Sequence, residues 1–208
     1  MNNLETEKCC TTTCDLPLNE TYWNNQYLSN TTGWDLGQVS PPLKAYIDQL
    51  TNKNLRILIP GSGNSYEADY LLDKGFTNIT IIDIAPALVE KLKNKYFSNP
   101  EIKIIQGDFF EHQGTYDLII EQTFFCAINP SLRKNYVAKM KELLSETGRL
   151  VGLLFNRTFE HQGPPFGGSK CQYLPLFKND FTVTHFDQCY NSFSKREGTE
   201  LFINLLKK

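Results

Sequence analysis

The chain has 208 residues, 40% hydrophobic and 21% charged, with a net charge of -2, which suits one α/β domain with a real core. No basic cluster beyond Lys207-Lys208 offers a nucleic-acid surface, no apolar run reaches the length of a membrane span, and MNNLETEKCC lacks an apolar signal region. A soluble cytoplasmic protein without nucleic-acid or membrane partners is therefore expected.

Residues 1–18 are polar and aperiodic, and are expected to form a disordered or loosely packed tail. The remainder, 19–208, reads as a single domain whose residues 19–50 precede the first strand. The cysteines Cys9, Cys10, Cys14, Cys126, Cys171 and Cys189 form no paired C-x-x-C knuckles, and His112, His161 and His185 are scattered. No metal site and, in a reducing compartment, no disulfide are expected. Asn19 is placed to cap a short helix bearing Tyr22, Trp23, Gln26 and Tyr27. Ser40-Pro41-Pro42 opens a second helix with Leu43, Tyr46, Ile47 and Leu50 at helical spacing.

From Leu55 the pattern alternates. Strands are predicted at 55–60, 79–83, 102–106, 117–121 and 149–155, and helices at about 65–74, 86–96 and 131–145, the last ended by Gly148. Alternation of this kind means right-handed crossovers and a parallel sheet covered on both faces. Phe181–Cys189 and Thr199–Leu206 are two further strands with no room for a helix between them, so they should form an antiparallel hairpin. The predicted fold is α/β: a Rossmann-like, seven-stranded, mostly parallel sheet with a C-terminal antiparallel hairpin and helices on both faces, the class I methyltransferase arrangement.

In such sheets the ligand lies beyond the carboxyl ends of the strands. The turn after the first strand, Pro60-Gly61-Ser62-Gly63, lets backbone N–H groups approach a ligand, but Tyr66 stands where a dinucleotide fingerprint has its third glycine. Asp83, followed by Ile84, ends the second strand and suits a ribose diol. Asp108 ends the third and suits an adenine amine, with Phe109 against the ring; the lesser alternative for Asp108 is a turn or cap residue. These features together indicate an adenosine ligand without a pyrophosphate. Trp23, Tyr27, Trp34, Phe124, Phe125 and Phe155 can reach the same edge, where aromatic faces would favour a sulfonium cation; each could also be core. The tryptophans precede the first strand and read as a lid.

The segments Trp34-Asp35-x-Gly37-Gln38, Ile59-Pro60-Gly61-Ser62-Gly63, Phe124-Phe125-Cys126-Ala127-Ile128-Asn129-Pro130-x-x-Arg133 and Gly163-Pro164-Pro165-Phe166 resemble the thiopurine S-methyltransferase superfamily, and the second-last run is most similar to the thiol and halide methyltransferases. The resemblance spans Tyr22 to the C-terminus. It implies S-adenosylmethionine as cofactor, held by Trp23, Trp34, Gly61, Asp83, Asp108, Phe109 and Gln122, to which position adds Tyr27, Gly63 and Ile84. It implies Arg133 and Phe155 at the acceptor, with Arg133 attracting and orienting an anion. Phe125 and the Pro165 loop are expected to close that pocket. Ser62 replaces a usual cysteine, and Tyr27, Gln122 and Phe155 replace a tryptophan and two tyrosines of relatives. The expected activity is methyl transfer to a small acceptor such as a thiol, hydrosulfide or related chalcogen anion. Halide or thiopurine methylation and a non-catalytic S-adenosylmethionine sensor are the alternatives. A monomer is expected.

Overall fold

The computed structural model describes residues 17–208, so Cys9, Cys10 and Cys14 and most of the predicted tail lie outside the described residues. Seven strands form one sheet: β1 (Ile57–Pro60), β2 (Ile79–Asp83), β3 (Ile102–Gln106), β4 (Tyr116–Gln122), β5 (Leu144–Phe155), β6 (Phe181–Gln188) and β7 (Glu200–Lys207). Their order is β3-β2-β1-β4-β5-β7-β6. Pairing is parallel from β3 to β5 and antiparallel where β7 inserts between β5 and β6. Every residue of β1 and of β2 is buried, as central parallel strands require when helices cover both faces.

Two cores flank the sheet. On one face pack α2 (Pro41–Asp48), α3 (Tyr66–Asp73) and α4 (Pro86–Lys95), through Leu43, Ile47, Ala68, Leu71, Leu88 and Leu92. On the other pack α5 (Arg133–Leu143) and α6 (Lys170–Phe177), through Tyr136, Val137, Met140, Tyr173 and Phe177. The first helix, α1 (Glu20–Leu28), is capped by Asn19, whose side chain accepts the Tyr22 N–H at 3.0 Å. None of its residues is fully buried. Instead it is tied across to α4, where Asn24 accepts the Ala87 N–H at 2.8 Å.

Three expectations change. The long helix does not run to Gly148: α5 stops at Leu143, and Leu144 is already extended and part of β5. Residues 145–148 bulge against β4 between the Tyr116↔Leu144 and Leu118↔Arg149 pairs, fastened by the Ser145 hydroxyl to Asp117 at 2.9 Å. Gly148 therefore belongs to a strand irregularity. Second, α6 lies outside the three bounded helices that the pattern predicts after Leu55, because Pro175 lies inside it; its signal is the capping box Ser169-x-x-Gln172, formed here with the Ser169 N–H donating to Gln172 at 3.0 Å. Third, Ser40 sits at the start of α2 but makes no cap hydrogen bond.

Candidate active site

The strand order reverses between β1 and β4, and ligands in such sheets bind at that switch, beyond the carboxyl ends. There the chain encloses a cavity of about 970 Å³. Grouped by the elements that carry them, its lining residues fall into two sets, or arms, with α1 and the loop after it as a roof.

The first arm is built by the ends of β1, β2 and β3. Gly61, Ile82, Asp83, Ile84, Asp108 and Phe109 line it. Gly61 and Gly63 have φ of 55° and 52°, a backbone region open to glycine and costly for most other residues. A Cβ on Gly61 would also lie 2.3 Å from the Phe124 ring. Asp83 is buried; its oxygens accept the Ala85 N–H at 3.0 Å and the Gly63 N–H at 3.4 Å. Burial pushes its carboxyl up to about 6, against the pull of those backbone N–H groups. A buried carboxylate with only backbone donors is relieved by further hydroxyl donors, as a ribose diol supplies. Asp108 lines the arm and caps the short 3-10 turn 109–111, accepting the Phe110 N–H at 2.8 Å. The cap and ligand readings of Asp108 are thus compatible.

The roof is α1 and the following loop. Trp34 packs edge-on against Trp23 and Tyr27, at ring-centroid distances of 5.7 and 5.8 Å. Asp35 anchors this loop: it accepts the Gly37 N–H at 2.8 Å, the Asn64 side-chain amide, and the Tyr66 hydroxyl at 3.3 Å. Asn64 directly follows the glycine turn, so the Trp34–Gln38 motif and the turn are one hydrogen-bonded unit.

The second arm collects Phe155 at the end of β5, Phe159, Pro164, Pro165, Phe193 and Arg196. Phe155 and Phe159 stack edge to face at 5.1 Å. The Arg196 guanidinium lies 5.2 Å from the Phe155 ring centre, and that of Arg157 lies 4.8 Å from Phe159. The peptide bonds Gly163-Pro164 and Pro164-Pro165 are both cis. Thr123, also lining the cavity, has a φ of 63°, an uncommon conformation for threonine placed directly after β4.

Of the expected residues, Trp23, Tyr27, Trp34, Gly61, Asp83, Ile84, Asp108, Phe109, Phe155 and Pro165 line this cavity. Four do not. Gly63 directs its N–H at Asp83 and acts through it. Gln122 is turned so that its side-chain carbonyl is buried with no partner among the described residues. Phe125 is 1% exposed and packs on Tyr136 and Tyr173 at 5.1 and 5.2 Å. Arg133 corrects the expectation most. Its guanidinium lies over the Phe125 and Tyr173 rings at 4.7 and 5.1 Å. It donates to the Gly167 and Phe166 carbonyls at 3.1 and 3.4 Å, and burial lowers its pKa. Phe166 in turn donates its N–H to the Cys126 carbonyl at 2.7 Å. Arg133 therefore fastens the Gly163–Phe166 loop to the Phe124–Arg133 run from behind, and the two motifs occur together because they bind each other. Phe159, Phe193, Lys195 and Arg196 line the cavity without having been foreseen, since they sit in loops without periodicity.

Among the described residues that line the cavity there is no histidine, and its carboxylates are Asp35, Asp83 and Asp108, none in the second arm. Cys126 touches the cavity but is buried, its Sγ–H donating to the Thr123 carbonyl at 2.9 Å, and burial drives its thiol far above the ordinary range. The described residues contain no group of side chains able to hold a metal ion. No described helix is long and apolar enough to cross a membrane.

The glycine cradle and the under-partnered Asp83 fit an adenosine ligand, and comparison with known proteins agrees. The family model described as thiopurine S-methyltransferase matches residues 18–203. A probable thiol methyltransferase of Arabidopsis thaliana is 30% identical over 73% of this chain and 69% of its own length. A thiocyanate methyltransferase of Brassica oleracea is 27% identical over 86% and 81%, and a thiopurine S-methyltransferase of Acinetobacter baylyi is 26% identical over 78% and 85%. The fold matches a Burkholderia thailandensis 1,6-didemethyltoxoflavin N1-methyltransferase solved with S-adenosylhomocysteine (TM-score 0.73, 15% identity, 94% of each chain). It also matches a Synechocystis magnesium protoporphyrin IX methyltransferase solved with S-adenosylmethionine (TM-score 0.71, 13% identity, 91% and 95%). With the sheet, the switch-point cavity and these matches in agreement, the chain belongs to the thiopurine S-methyltransferase family and is a class I, S-adenosylmethionine-dependent methyltransferase.

Proposed function

We propose that the protein methylates a small acceptor that reacts as a soft anion, a thiolate or hydrosulfide, and does so as a cytoplasmic monomer. One observation supports this reading: among the described residues that line it, the second arm offers aromatic and proline walls with cations and no histidine or carboxylate, His161 lying behind Phe159 at 5.4 Å between ring centres. An arm of that composition suits an acceptor that is already deprotonated, as thiols are near neutral pH to a useful extent. It suits poorly an alcohol or amine needing a general base.

The first arm is the cofactor side. Asp83 and Asp108 would accept hydrogen bonds from the ribose and the adenine amine, while Gly61 lets the backbone approach closely. Trp23, Tyr27 and Trp34 form a lid that excludes water and presents aromatic faces to a sulfonium. Held there, S-adenosylmethionine would supply an electrophilic methyl group, with S-adenosylhomocysteine as the leaving group. A cation meeting an anion loses charge on the way to the transition state, so the chain's task is alignment and desolvation of the acceptor. Phe155, Phe159, Phe193 and Pro165 would supply that dry wall. Arg133 contributes by holding the Pro164-Pro165 loop in place.

The names of the relatives support sulfur acceptors: thiol, thiocyanate and thiopurine. The test is a competition among hydrosulfide, thiophenol, iodide and 6-mercaptopurine, with S-adenosylmethionine limiting. Hydrosulfide and thiophenol should dominate the methylated products by headspace and liquid analysis. Preference for iodide or for the thiopurine would replace this reading by one of those activities. Cofactor binding without turnover of any acceptor would indicate a sensor.

A further inference from the structure

The segment between β6 and β7 carries one buried charge that the activity above does not yet use. Arg196 is 8% exposed and lines the cavity. One Nη donates to the Trp34 carbonyl of the lid at 2.7 Å; the other donates to Glu200, itself 2% exposed, at 3.3 Å. Its guanidinium plane lies by Phe155, in the second arm. A guanidinium has five N–H donors, and two are used by these bonds. Arg196 is therefore a buried cation strapped at two points, with donors to spare, beside the wall of the acceptor arm.

Among the described carboxyls around it, Glu200 is in ion-pair reach at 3.3 Å, and burial raises its carboxyl above the ordinary value. Glu67 and Glu121 also interact with Arg196, but burial pushes their carboxyls up to about 7 and about 8. Near neutral pH neither is fully ionised. Glu121 is in any case committed to the Phe125 N–H at 2.8 Å.

We infer that Arg196 is the residue that binds the acceptor's negative charge, that Glu200 is its positioning residue, and that the bond to the Trp34 carbonyl makes acceptor binding and lid closure favour each other. The lid orients one arm of the guanidinium and Glu200 the other, so the remaining donors are fixed only when the lid is down. By reciprocity, an anion on Arg196 then strengthens the cofactor side. This assignment rests on the anionic-acceptor reading, and the wild-type turnover of thiophenol in the same assay reports on that reading separately.

Two measurements test it. In steady-state kinetics with thiophenol, Arg196→Gln should raise the acceptor KM about tenfold or more, the scale of one charge-assisted contact, and by a larger factor than the S-adenosylmethionine KM. Arg196→Lys should recover part of the loss. Glu200→Gln, which keeps shape and removes the charge that orients the guanidinium, should raise the acceptor KM by a smaller factor with kcat retained. In calorimetry, which needs no turnover, S-adenosylhomocysteine should bind wild type more tightly when iodide is present, and Arg196→Gln should lose that enhancement. A folded Arg196→Gln with wild-type thiophenol KM, equal losses in both KM values, or an iodide effect of wild-type size in Arg196→Gln overturns the assignment. If Arg196→Gln does not fold, Arg196→Lys and Glu200→Gln decide it by the same two readouts.

Discussion

The two arms of the cavity are made in different ways. The first arm, proposed for the cofactor, is built from backbone: strand ends, a glycine turn and a carboxylate held by main-chain N–H groups. The second, proposed for the acceptor, is built from side chains on three separate segments, the end of β5, the Gly163–Phe166 loop and the β6–β7 connection. A site of backbone tolerates little change in shape, because each piece is also a piece of the sheet. A site of loop side chains can be re-cut without disturbing the core. That contrast suits relatives whose names share methyl transfer but differ in acceptor, thiol, thiocyanate and thiopurine.

The contrast can be broken at its strongest point first. Asp83→Ala should weaken S-adenosylhomocysteine binding about a hundredfold by calorimetry, as loss of two hydrogen bonds to a charged group at roughly 1.5 kcal/mol each requires. Wild-type affinity would remove Asp83 from the site. The same residue gives a pH signature. Its carboxyl, raised to about 6, is the better acceptor when ionised, so affinity should fall as pH drops through 6. Asp83→Asn, weaker throughout, should lose that slope. Next, Gly61→Ala should cost about 1–3 kcal/mol from the left-handed backbone alone, with Phe124 displaced as well. Both the melting temperature and cofactor affinity should drop. A rise in acceptor KM alone, with cofactor affinity unchanged, would contradict the division between arms. The smallest effect should come from Arg133→Ala, because it acts through the loop behind the acceptor arm. It should raise the thiophenol KM several-fold, about 1 kcal/mol, and leave cofactor affinity near wild type. Arg133→Lys should not restore it, since one ammonium cannot reproduce a planar fork reaching the Phe166 and Gly167 carbonyls and stacking on two rings.

The same contrast explains what could be read from the sequence. β1, the glycine turn and β2 are legible because apolar runs and a terminal carboxylate are local patterns, and local patterns fix where a parallel strand ends. The hairpin of β6 and β7 is legible for the same reason. Gly148 misled because a glycine after a helical stretch usually ends it, whereas here the chain passes straight from α5 into β5 and uses the glycine in a bulge. Arg133 misled in another way: its place in a motif was visible, but the direction of its side chain depends on the Gly163–Phe166 loop some thirty residues on, as the bonds to Phe166 and Gly167 show. Arg196 was invisible because its meaning comes from Trp34 and Glu200, one of them at the far end of the chain, and no periodicity joins them.

The central claim is that the acceptor reacts as an anion and that the chain supplies no base for it. The direct test is kcat/KM against pH for two thiols of different acidity, thiophenol and 2-mercaptoethanol, with S-adenosylmethionine saturating. The account predicts that each profile rises with the acceptor's own thiol ionisation and levels off above it, so that the two profiles are offset by the difference between the thiols. A common midpoint for both thiols would place the titrating group on the protein, and would contradict it.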